Sequence, residues 1–121
     1  MVLEEFRRGA VRLHILHHAC DGEIYGAWMR AELAEHGHDV SPGTLYPMLH
    51  AMQEDELLIS REELAEGRVR RLYRATERGR EELHACRQAL AELAGELLPA
   101  DPDRDDRLYR SRHDTTLTKE T

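Results

Sequence analysis

The sequence predicts a mainly α-helical fold that contains one small β-hairpin. Apolar residues recur at intervals of three and four through three N-terminal segments and one long C-terminal segment, which is the periodicity of amphipathic helices. Between residues 57 and 76 the period changes, and two short runs flank the stretch "AEGR", which is typical of a hairpin. The expected order is therefore helix, helix, helix, hairpin, helix.

The first two helices are predicted from their apolar spacing. Helix one carries a stripe that ends near the sequence "CDG" and comprises Leu3, Phe6, Ala10, Leu13 and His17. Helix two is expected from about residue 25 to 36, because Met29 and Leu33 lie four residues apart on one face. Gly37 follows at a position where glycine commonly ends a helix.

Helix three starts inside the stretch "SPGTLYPMLH", residues 41 to 50. Ser41 is a favourable N-cap, and Pro42 takes the first helical position, where its missing N–H would have had no partner. Pro47 removes the hydrogen bond to the Gly43 carbonyl, so we expect loosened first turns. The inward face comprises Leu45, Met48, Leu49 and Met52, and the outward face Thr44, Pro47, His50 and Ala51.

The fourth helix follows the hairpin and carries a long apolar seam. Thr76 is placed to cap this helix, with Glu77 in its first turn. The seam has the spacing of a two-heptad coiled coil and comprises Leu83, Cys86, Leu90, Leu93 and Leu97. Such a seam needs a partner surface, and we predict homodimerisation, with packing inside the chain's own domain as the alternative.

Composition sets the broad class of protein. The length suits one core, and we divide the chain into residues 1–75 for the helical domain and its hairpin, 76–98 for the fourth helix and 99–121 for a flexible polar tail. Only two cysteines occur, far apart, which favours a reducing compartment. Long apolar runs and a signal-peptide pattern are lacking. We therefore expect a soluble cytoplasmic protein without a membrane partner.

Charge is unevenly distributed along the chain. The formal net charge of −7 argues against a nucleic-acid partner, because contacts from Lys and Arg to phosphates dominate such binding. Residues 68–80, however, hold six arginines and one glutamate, whereas residues 21–60 hold one arginine and eight acidic residues. The arginine-rich segment is therefore the part of the chain suited to phosphate contact.

The order of elements is that of a winged helix-turn-helix domain, and two motifs make the resemblance specific. The chain resembles the PadR family of bacterial transcriptional regulators in the segments "SPGTLYPMLHAMQEDELL" and "GRVRRLYRATERG". In that family the first motif opens the recognition helix, and an arginine-rich wing strand runs into Y-x-x-T-x-x-G, matched here by Tyr73, Thr76 and Gly79. The resemblance covers about residues 10–98 and is to the small subfamily with a single C-terminal helix.

The resemblance implies a DNA-binding domain in residues 1–75 and a homodimer on a palindromic operator, with helix 41–55 in the major groove and the wing on the flanking backbone. Most members are repressors, and a small-molecule or metal effector is left open. The helix residues expected to reach base edges or phosphates are Ser41, Gly43, Thr44, Tyr46 and His50. The wing residues expected to attract phosphates are Arg68, Arg70, Arg71 and Arg74. The expected dimer surface on helices one and four comprises Phe6, Leu13, Leu83, Cys86, Leu90, Leu93 and Leu97.

Three positions depart from the family pattern. Glu56 stands where a glycine usually follows the recognition helix, and Ala51 stands where a basic residue is common. These changes predict weaker DNA affinity or a differently shaped helix end. The aromatic residues near helix two are displaced, and we interpret Trp28 as a core or dimer-contact side chain, with a ligand-stacking platform as the alternative.

Histidines cluster in the stretch "LHILHHAC". His14 and His18 lie one turn apart on one helical face, and His17 and Cys20 on another, at spacings that can bind Zn(II) or a similar cation. A third ligand would have to come from a dimer mate or from another part of the chain, where the candidates are His36 and His38. We favour exposed or capped histidines without a metal, and we expect no cofactor.

Two further alternatives remain open from the sequence. Cys86 is most simply a small buried hydrophobic residue, but near a dyad it could form an intersubunit disulfide. The rival function is a winged-helix module that docks an acidic protein partner through the arginine-rich wing. An enzyme is not expected, because the sequence shows no recognisable catalytic triad, phosphate loop or pair of catalytic carboxylates.

Overall fold

The computed structural model describes residues 1–99, which form four helices and a three-stranded sheet. The elements are, in chain order, α1 (Val2–Asp21), β1 (Ile24–Tyr25), α2 (Gly26–Glu35), α3 (Pro42–Glu54), β2 (Leu58–Ala65), β3 (Arg68–Ala75) and α4 (Glu77–Leu97). The predicted winged helix-turn-helix fold is confirmed. Of the predicted polar tail, only Pro99 falls within the described residues.

The sheet has one more strand than the sequence predicted. Its order is β1-β3-β2 with antiparallel neighbours, and β1 joins it through the pairs Ile24 with Tyr73 and Tyr25 with Leu72. Helix two begins at Gly26, next to the predicted start near residue 25, and Tyr25 itself belongs to this strand. A two-residue strand is too short to show an alternating pattern and forms only because β3 offers a free edge.

The β2–β3 hairpin turns in two residues. Ala65 pairs with Arg68, and the residues between them, Glu66 and Gly67, have φ angles of 52° and 76°. Two consecutive left-handed residues are the mark of a type I′ turn, whose twist matches that of the flanking strands. The "AEGR" signal therefore predicted the hairpin correctly.

The core is built from one face of each helix and from the sheet. Its largest fully buried side chains are Ile15, Met29, Leu33, Leu45, Leu49 and Leu58. The inward face predicted for α3 is confirmed, since Leu45, Met48, Leu49 and Met52 are all buried. Because that face is fixed in the core, the opposite face of α3 is held outward.

The N-terminal ends of α3 and α4 are capped in different ways. Thr76 caps α4 as predicted, since its Oγ1 accepts a hydrogen bond from the Gly79 N–H at 3.0 Å. Ser41 precedes α3, but its hydroxyl donates to Thr44 Oγ1 at 3.2 Å and makes no bond to a backbone N–H, so the predicted side-chain cap is wrong. The helix instead begins through the Ser41 carbonyl, which accepts from the Leu45 N–H at 2.9 Å.

The C-terminal end of α3 has the geometry usually built with glycine. Glu56 has a φ angle of 62°, its N–H donates to the Gln53 carbonyl, and the Leu57 N–H donates to the Met52 carbonyl. These two bonds define a Schellman motif. The backbone at the end of α3 therefore has the conformation that a glycine at position 56 would adopt. Glu56 differs from the family glycine only in its side chain.

Contacts between residues divide the chain into one unit that comprises Met1–Gln88 and a second that begins at Ala89. The second unit contains the last turns of α4. Within residues 1–99, no helix combines the length and the apolar character needed to cross a membrane.

Candidate nucleic-acid interface

The outer face of α3 is exposed and carries no lysine or arginine. The residues predicted to face outward are all exposed, namely Ser41, Gly43, Thr44, Tyr46, Pro47, His50 and Ala51. Ser41 and Thr44 are bonded to each other, and His50 Nε2 lies 3.1 Å from Glu54 Oε1 one turn on. The face therefore offers hydroxyl, phenol and imidazole groups to a partner.

Tyr46 is the largest side chain on this face and is held against the start of α2. It is 45% exposed. A Cβ atom built on Gly26 would lie 2.6 Å from Tyr46 Cε1 and 2.8 Å from its hydroxyl oxygen, so only a glycine leaves room for the ring in this position. The glycine thus sets where the phenol of α3 lies.

Tyr46 and three of the wing arginines share one open groove. The groove has a volume of about 570 Å³. Its walls come from the start of α2, from Tyr46 and from the first half of β3, where Arg68, Arg70 and Arg71 lie. The structure therefore brings together residues that the sequence assigned separately to the recognition helix and to the wing.

Arg74 lies apart from this groove. It borders a small recess with Glu23 and Arg61, on the part of the sheet nearer to the end of α1. All four predicted wing arginines are exposed, but Arg74 is thus not brought together with the other three. A partner that contacts the groove would meet Arg74 only if it also extended along β3.

Acidic residues on β2 offset part of the wing charge. Arg71 Nη2 lies 2.9 Å from Glu62 Oε1, and Arg71 Nη1 donates to Ser60 Oγ at 3.1 Å. Arg70 lies 3.8 Å from a carboxylate oxygen of Glu66. The hairpin, residues 58–75, holds five arginines and three glutamates, so its net positive charge is much smaller than the arginine count indicates.

Arg70 also packs on the aromatic side of the groove. Its guanidinium carbon lies 5.2 Å from the centre of the Tyr25 ring, within the range of a cation–π contact. The Tyr25 hydroxyl donates to Glu63 Oε2 at 2.8 Å, and this bond to a carboxylate raises the pKa of Tyr25. The sequence did not reveal these contacts, although the strand register, which places Glu63 opposite Arg70, would have indicated them.

Arg68 and Arg74 differ from the other two wing arginines. Within the part of the chain that the structure describes, neither forms an ion pair or a side-chain hydrogen bond. Their guanidinium groups therefore need not leave an acidic partner before they contact a phosphate.

The residues predicted for the dimer surface divide into two groups. Leu83 is 4% exposed and belongs to the core, and Leu13 packs against the same core. Cys86 is half-buried, and its thiol lies 3.8 Å from Glu82 Oε1. Burial raises the pKa of the Cys86 thiol, and the same holds for Cys20. Leu83 and Leu13 therefore pack inside the chain that carries them.

The remaining predicted dimer residues are exposed. Phe6 on α1 is 56% exposed, and the three leucines of the last turns of α4 are 42% to 67% exposed, namely Leu90, Leu93 and Leu97. Isolated exposed leucines are common on protein surfaces, but three at coiled-coil spacing on one helix form an apolar strip that water solvates poorly.

The histidines of α1 meet the end of α2. The ring of His14 lies 5.1 Å from that of His36 and 5.2 Å from that of His38, measured between centroids. Burial lowers the pKa of His14, and the nearby imidazoles of His38 and His36 lower it further. His18 packs edge-on against Trp28 at 5.2 Å. The two histidines that lie beside His14, namely His36 and His38, are the residues from outside α1 that the sequence named as candidate ligands.

The other pair, His17 and Cys20, lies on a different side of α1. His17 Nδ1 is 2.8 Å from Arg87 Nη2, and both His17 and Cys20 line a recess against α4. Trp28 is 45% exposed and lines the groove beside Tyr46, so its interpretation as a core residue is wrong. The Trp28 indole packs against His18 and lines the groove, and its exposed part can contact a ligand or a second chain.

Comparison with known proteins identifies the class of this fold. A model of the "Transcriptional regulator PadR-like family" matches residues 15–85. The transcriptional regulator Rv3488 of Mycobacterium tuberculosis is 57% identical over 96 residues, which span 79% of this chain and 90% of that protein.

Solved structures agree with this assignment. A PadR-like transcriptional regulator from Bacillus cereus, 27% identical, superposes with a TM-score of 0.68 over 80% of this chain and 99% of that one. PadR of Bacillus subtilis in complex with operator DNA is 16% identical and superposes with a TM-score of 0.60 over 91% of this chain and 69% of that one. At that identity the second likeness shows the fold alone.

Proposed function

The chain belongs to the PadR-like family of transcriptional regulators, and we propose that it acts as a homodimeric repressor on a palindromic DNA operator. The observation that carries this proposal is the shared groove, in which Tyr46 of α3 faces Arg68 and Arg70 of the wing. A recognition helix and a basic wing on one surface suit the groove and the flanking backbone of a duplex.

In this proposal α3 enters the major groove and supplies specificity. Its outer face holds short polar groups and one phenol, namely Ser41, Thr44, Tyr46 and His50, with Gly43 as a point of close approach. Hydroxyl, phenol and imidazole groups can read base edges or phosphates without a large nonspecific Coulomb attraction. The lack of lysine and arginine on α3 therefore makes binding depend on the base sequence.

The wing supplies affinity through the phosphate backbone. Arg68 and Arg74 are available from the start, whereas Arg70 and Arg71 exchange glutamate contacts for phosphate contacts when DNA binds. Each phosphate contact releases counterions, so the affinity gained in this way depends on salt. The pairing with glutamate lowers the affinity for DNA of any sequence, so the preference for the operator rests on α3.

Dimerisation completes the proposed function. Two copies place two α3 helices on successive turns of the duplex, about 34 Å apart, which accounts for a palindromic site. The exposed strip of Leu90, Leu93 and Leu97 and the exposed Phe6 of α1 support a partner contact between helices α1 and α4. The dimer also presents two arginine-rich wings to one duplex, and these two sets of phosphate contacts offset the net charge of −7 on each chain. Repression then follows from occupation of the promoter, and an effector, either a small molecule or a metal ion, releases the DNA.

Fluorescence anisotropy tests this proposal with a duplex from the promoter of the protein's own gene and a random duplex of equal length. We expect the promoter to be preferred by roughly a thousandfold or more, with an affinity that falls steeply as salt rises. Transcription in vitro from the same promoter should fall when the protein is added. Rising transcription would contradict the repressor role.

A winged-helix module for an acidic protein partner is the second candidate, because the three glutamates in the hairpin and the overall negative charge weigh most heavily against a polyanion as densely charged as DNA. This function predicts equal, weak binding to both duplexes at every salt concentration. The same anisotropy series therefore separates the two candidates.

A further inference from the structure

We propose that the surface between α1 and the end of α2 is a binding site for a divalent transition-metal ion of the Zn(II) class. The residues that form it, called here the histidine cluster, are His14, His18, Glu32, His36 and His38. Four imidazoles and a carboxylate are ligand types that Zn(II) prefers, and Cu(II) and Ni(II) also bind to them.

The spacing of the groups matches a tetrahedral site. Two imidazoles bound to one tetrahedral Zn(II) have ring centroids about 5 Å apart, given Zn–N bonds of about 2.0 Å. The ring of His14 lies 5.1 Å from that of His36 and 5.2 Å from that of His38. The ring of His14 on α1 therefore already stands, from each of two rings at the end of α2, at the separation that a shared ion requires.

The distances between donor atoms point to the same conclusion. Two donor atoms on one tetrahedral Zn(II) lie about 3.3 Å apart for bonds of about 2.0 Å. Glu32 Oε1 lies 3.1 Å from His36 Nε2 and 3.5 Å from His18 Nε2. The carboxylate thus bridges the histidine of α1 and the histidine at the end of α2.

The sequence places the ligands in a pattern with a physical basis. His14 and His18 are separated by four residues on α1, which puts both rings on one face, as in helical zinc sites. Glu32 and His36 repeat that spacing from α2 to its C-terminal cap. Two such pairs on facing helices supply four ligands, and His38 supplies a fifth candidate from the turn that follows.

The side chains must turn to close on an ion. As they stand, no group of three His, Cys, Asp or Glu side chains among residues 1–99 is arranged to hold a metal. The required movement is small, because His36 is exposed, the other members are half-buried, and the second torsion of a histidine side chain has a broad energy minimum. Most ring nitrogens of these four histidines also have no hydrogen-bond or ion-pair partner among residues 1–99.

A bound ion would tie α1 to the turn that leads into α3. This turn, residues 36–41, is held on its other side by Arg30, whose Nε donates to the Val40 carbonyl at 3.1 Å. Metal binding would therefore fix the position of the proposed recognition helix relative to α1. That consequence for DNA rests on the proposed function, whereas the metal site itself does not.

Isothermal titration of the full chain with ZnCl₂ tests the site. We expect one ion per chain with micromolar or tighter affinity. Replacement of one ligand, in His14→Ala or in His36→Ala, should weaken binding by about tenfold or more, since even loss of an outer partner of a metal ligand costs that much. His36 is exposed, so that variant should fold even if His14→Ala does not.

Two variants serve as matched controls. His84→Ala removes an exposed histidine of α4, and Cys20→Ser removes the thiol beside His17. Neither should change the affinity for Zn(II), and the Co(II) form should show no thiolate charge-transfer band. Binding that survives His14→Ala and His36→Ala, or that is lost in Cys20→Ser, would overturn the proposed site.

Anisotropy with the promoter duplex, with and without Zn(II), then examines the consequence for DNA. We expect Zn(II) to change the affinity of the wild type and to leave that of His36→Ala unchanged. An identical affinity with the ion bound would overturn the regulatory role. Failure of the metal-free protein to prefer its promoter would instead count against the proposed function, and the titration would still decide the site.

Discussion

The phenol ring of Tyr46 fills the space beside Gly26 that any side chain at that position would need. A Cβ atom on Gly26 would lie 2.6 Å from Tyr46 Cε1, which is closer than real Cβ contacts allow. The contact joins the start of α2 to the outer face of α3. The missing side chain at Gly26 therefore sets the direction in which the largest group on the outer face of α3, the proposed recognition helix, is presented.

Gly26→Ala should weaken operator binding with little effect on stability. The methyl group displaces the half-exposed end of Tyr46, which can swing into solvent, and a misplaced contact to the operator costs about 1 kcal/mol or more. Anisotropy and thermal melts measure the two effects. Gly22→Ala is the matched control, because a Cβ there meets no atom within 4 Å. Equal losses of affinity in both variants would contradict a positioning role for Gly26.

Glu62→Gln should strengthen DNA binding. Glu62 pairs with Arg71 at 2.9 Å, so its neutralisation frees that guanidinium for a phosphate. We expect a higher affinity and a steeper salt dependence, with the slope of log K against log salt larger by about 1.

Arg68→Ala provides the opposite case, because Arg68 has no ion pair within residues 1–99 to lose. Its removal should lower the affinity for all duplexes and reduce the same slope by about 1. If Glu62→Gln and wild type had the same slope, the pair with Arg71 would not limit phosphate contact.

Sequence reasoning succeeded where the signal is local and repeated. The four helices have long apolar periods, and the turn at Gly67 has a characteristic pair of residues, so both followed from short segments. The inward face of α3 followed from the same periodicity. These features depend on neighbours within one helical turn or one hairpin.

Sequence reasoning failed where a contact joins distant segments. The strand at Tyr25 exists because β3 has a free edge, and the pairing of Glu62 with Arg71 depends on strand register. The meeting of His14 with His38 needs the crossing of α1 and α2, which no local pattern encodes. The sequence named His36 and His38 as candidate partners but could not place them.

Leu93→Asp should convert the protein to a monomer and abolish operator binding. The change puts a charge into the exposed strip of α4, where Leu93 is 42% exposed, and a buried unpaired carboxylate would oppose association. Analytical ultracentrifugation measures the mass in solution. Ala91→Asp adds the same charge at a neighbouring exposed position off the strip and should leave the dimer intact. A dimeric Leu93→Asp variant would rule out this surface.

Glu56→Gly should stabilise the fold. Glu56 has a left-handed φ angle of 62°, which costs a residue with a side chain about 1 kcal/mol or more, and the greater freedom of unfolded glycine offsets part of the gain. We expect a net increase of about 0.5 kcal/mol in the free energy of unfolding, measured with urea. Glu56→Ala keeps the strain and loses only the contact with Arg78, so it should not stabilise. Similar gains in both variants would show that the backbone strain is not the cause.

Glu23 and Arg61 form a two-point ion pair that joins the turn after α1 to β2. Arg61 Nε donates to Glu23 Oε2 at 2.6 Å, and Arg61 Nη2 donates to Glu23 Oε1 at 2.9 Å. The hydrogen bond from Arg61 holds the pKa of the Glu23 carboxyl below its usual 4.5, and the pKa of Arg61 is raised in return.

The stability that this pair contributes should be lost in acid. A carboxyl with a lower pKa in the folded state stabilises that state above the unfolded pKa, and the effect disappears as the pH falls through the folded value. Glu23→Gln should therefore lower the melting temperature slightly at pH 7, because the pair is at the surface, and should approach the wild type as the pH falls below 4.5. Glu81→Gln, on the exposed face of α4, should show no such pH-dependent difference. A Glu23→Gln deficit that persists unchanged into acid would mean that the side chain stabilises the turn by packing, and that its charge has no part in it.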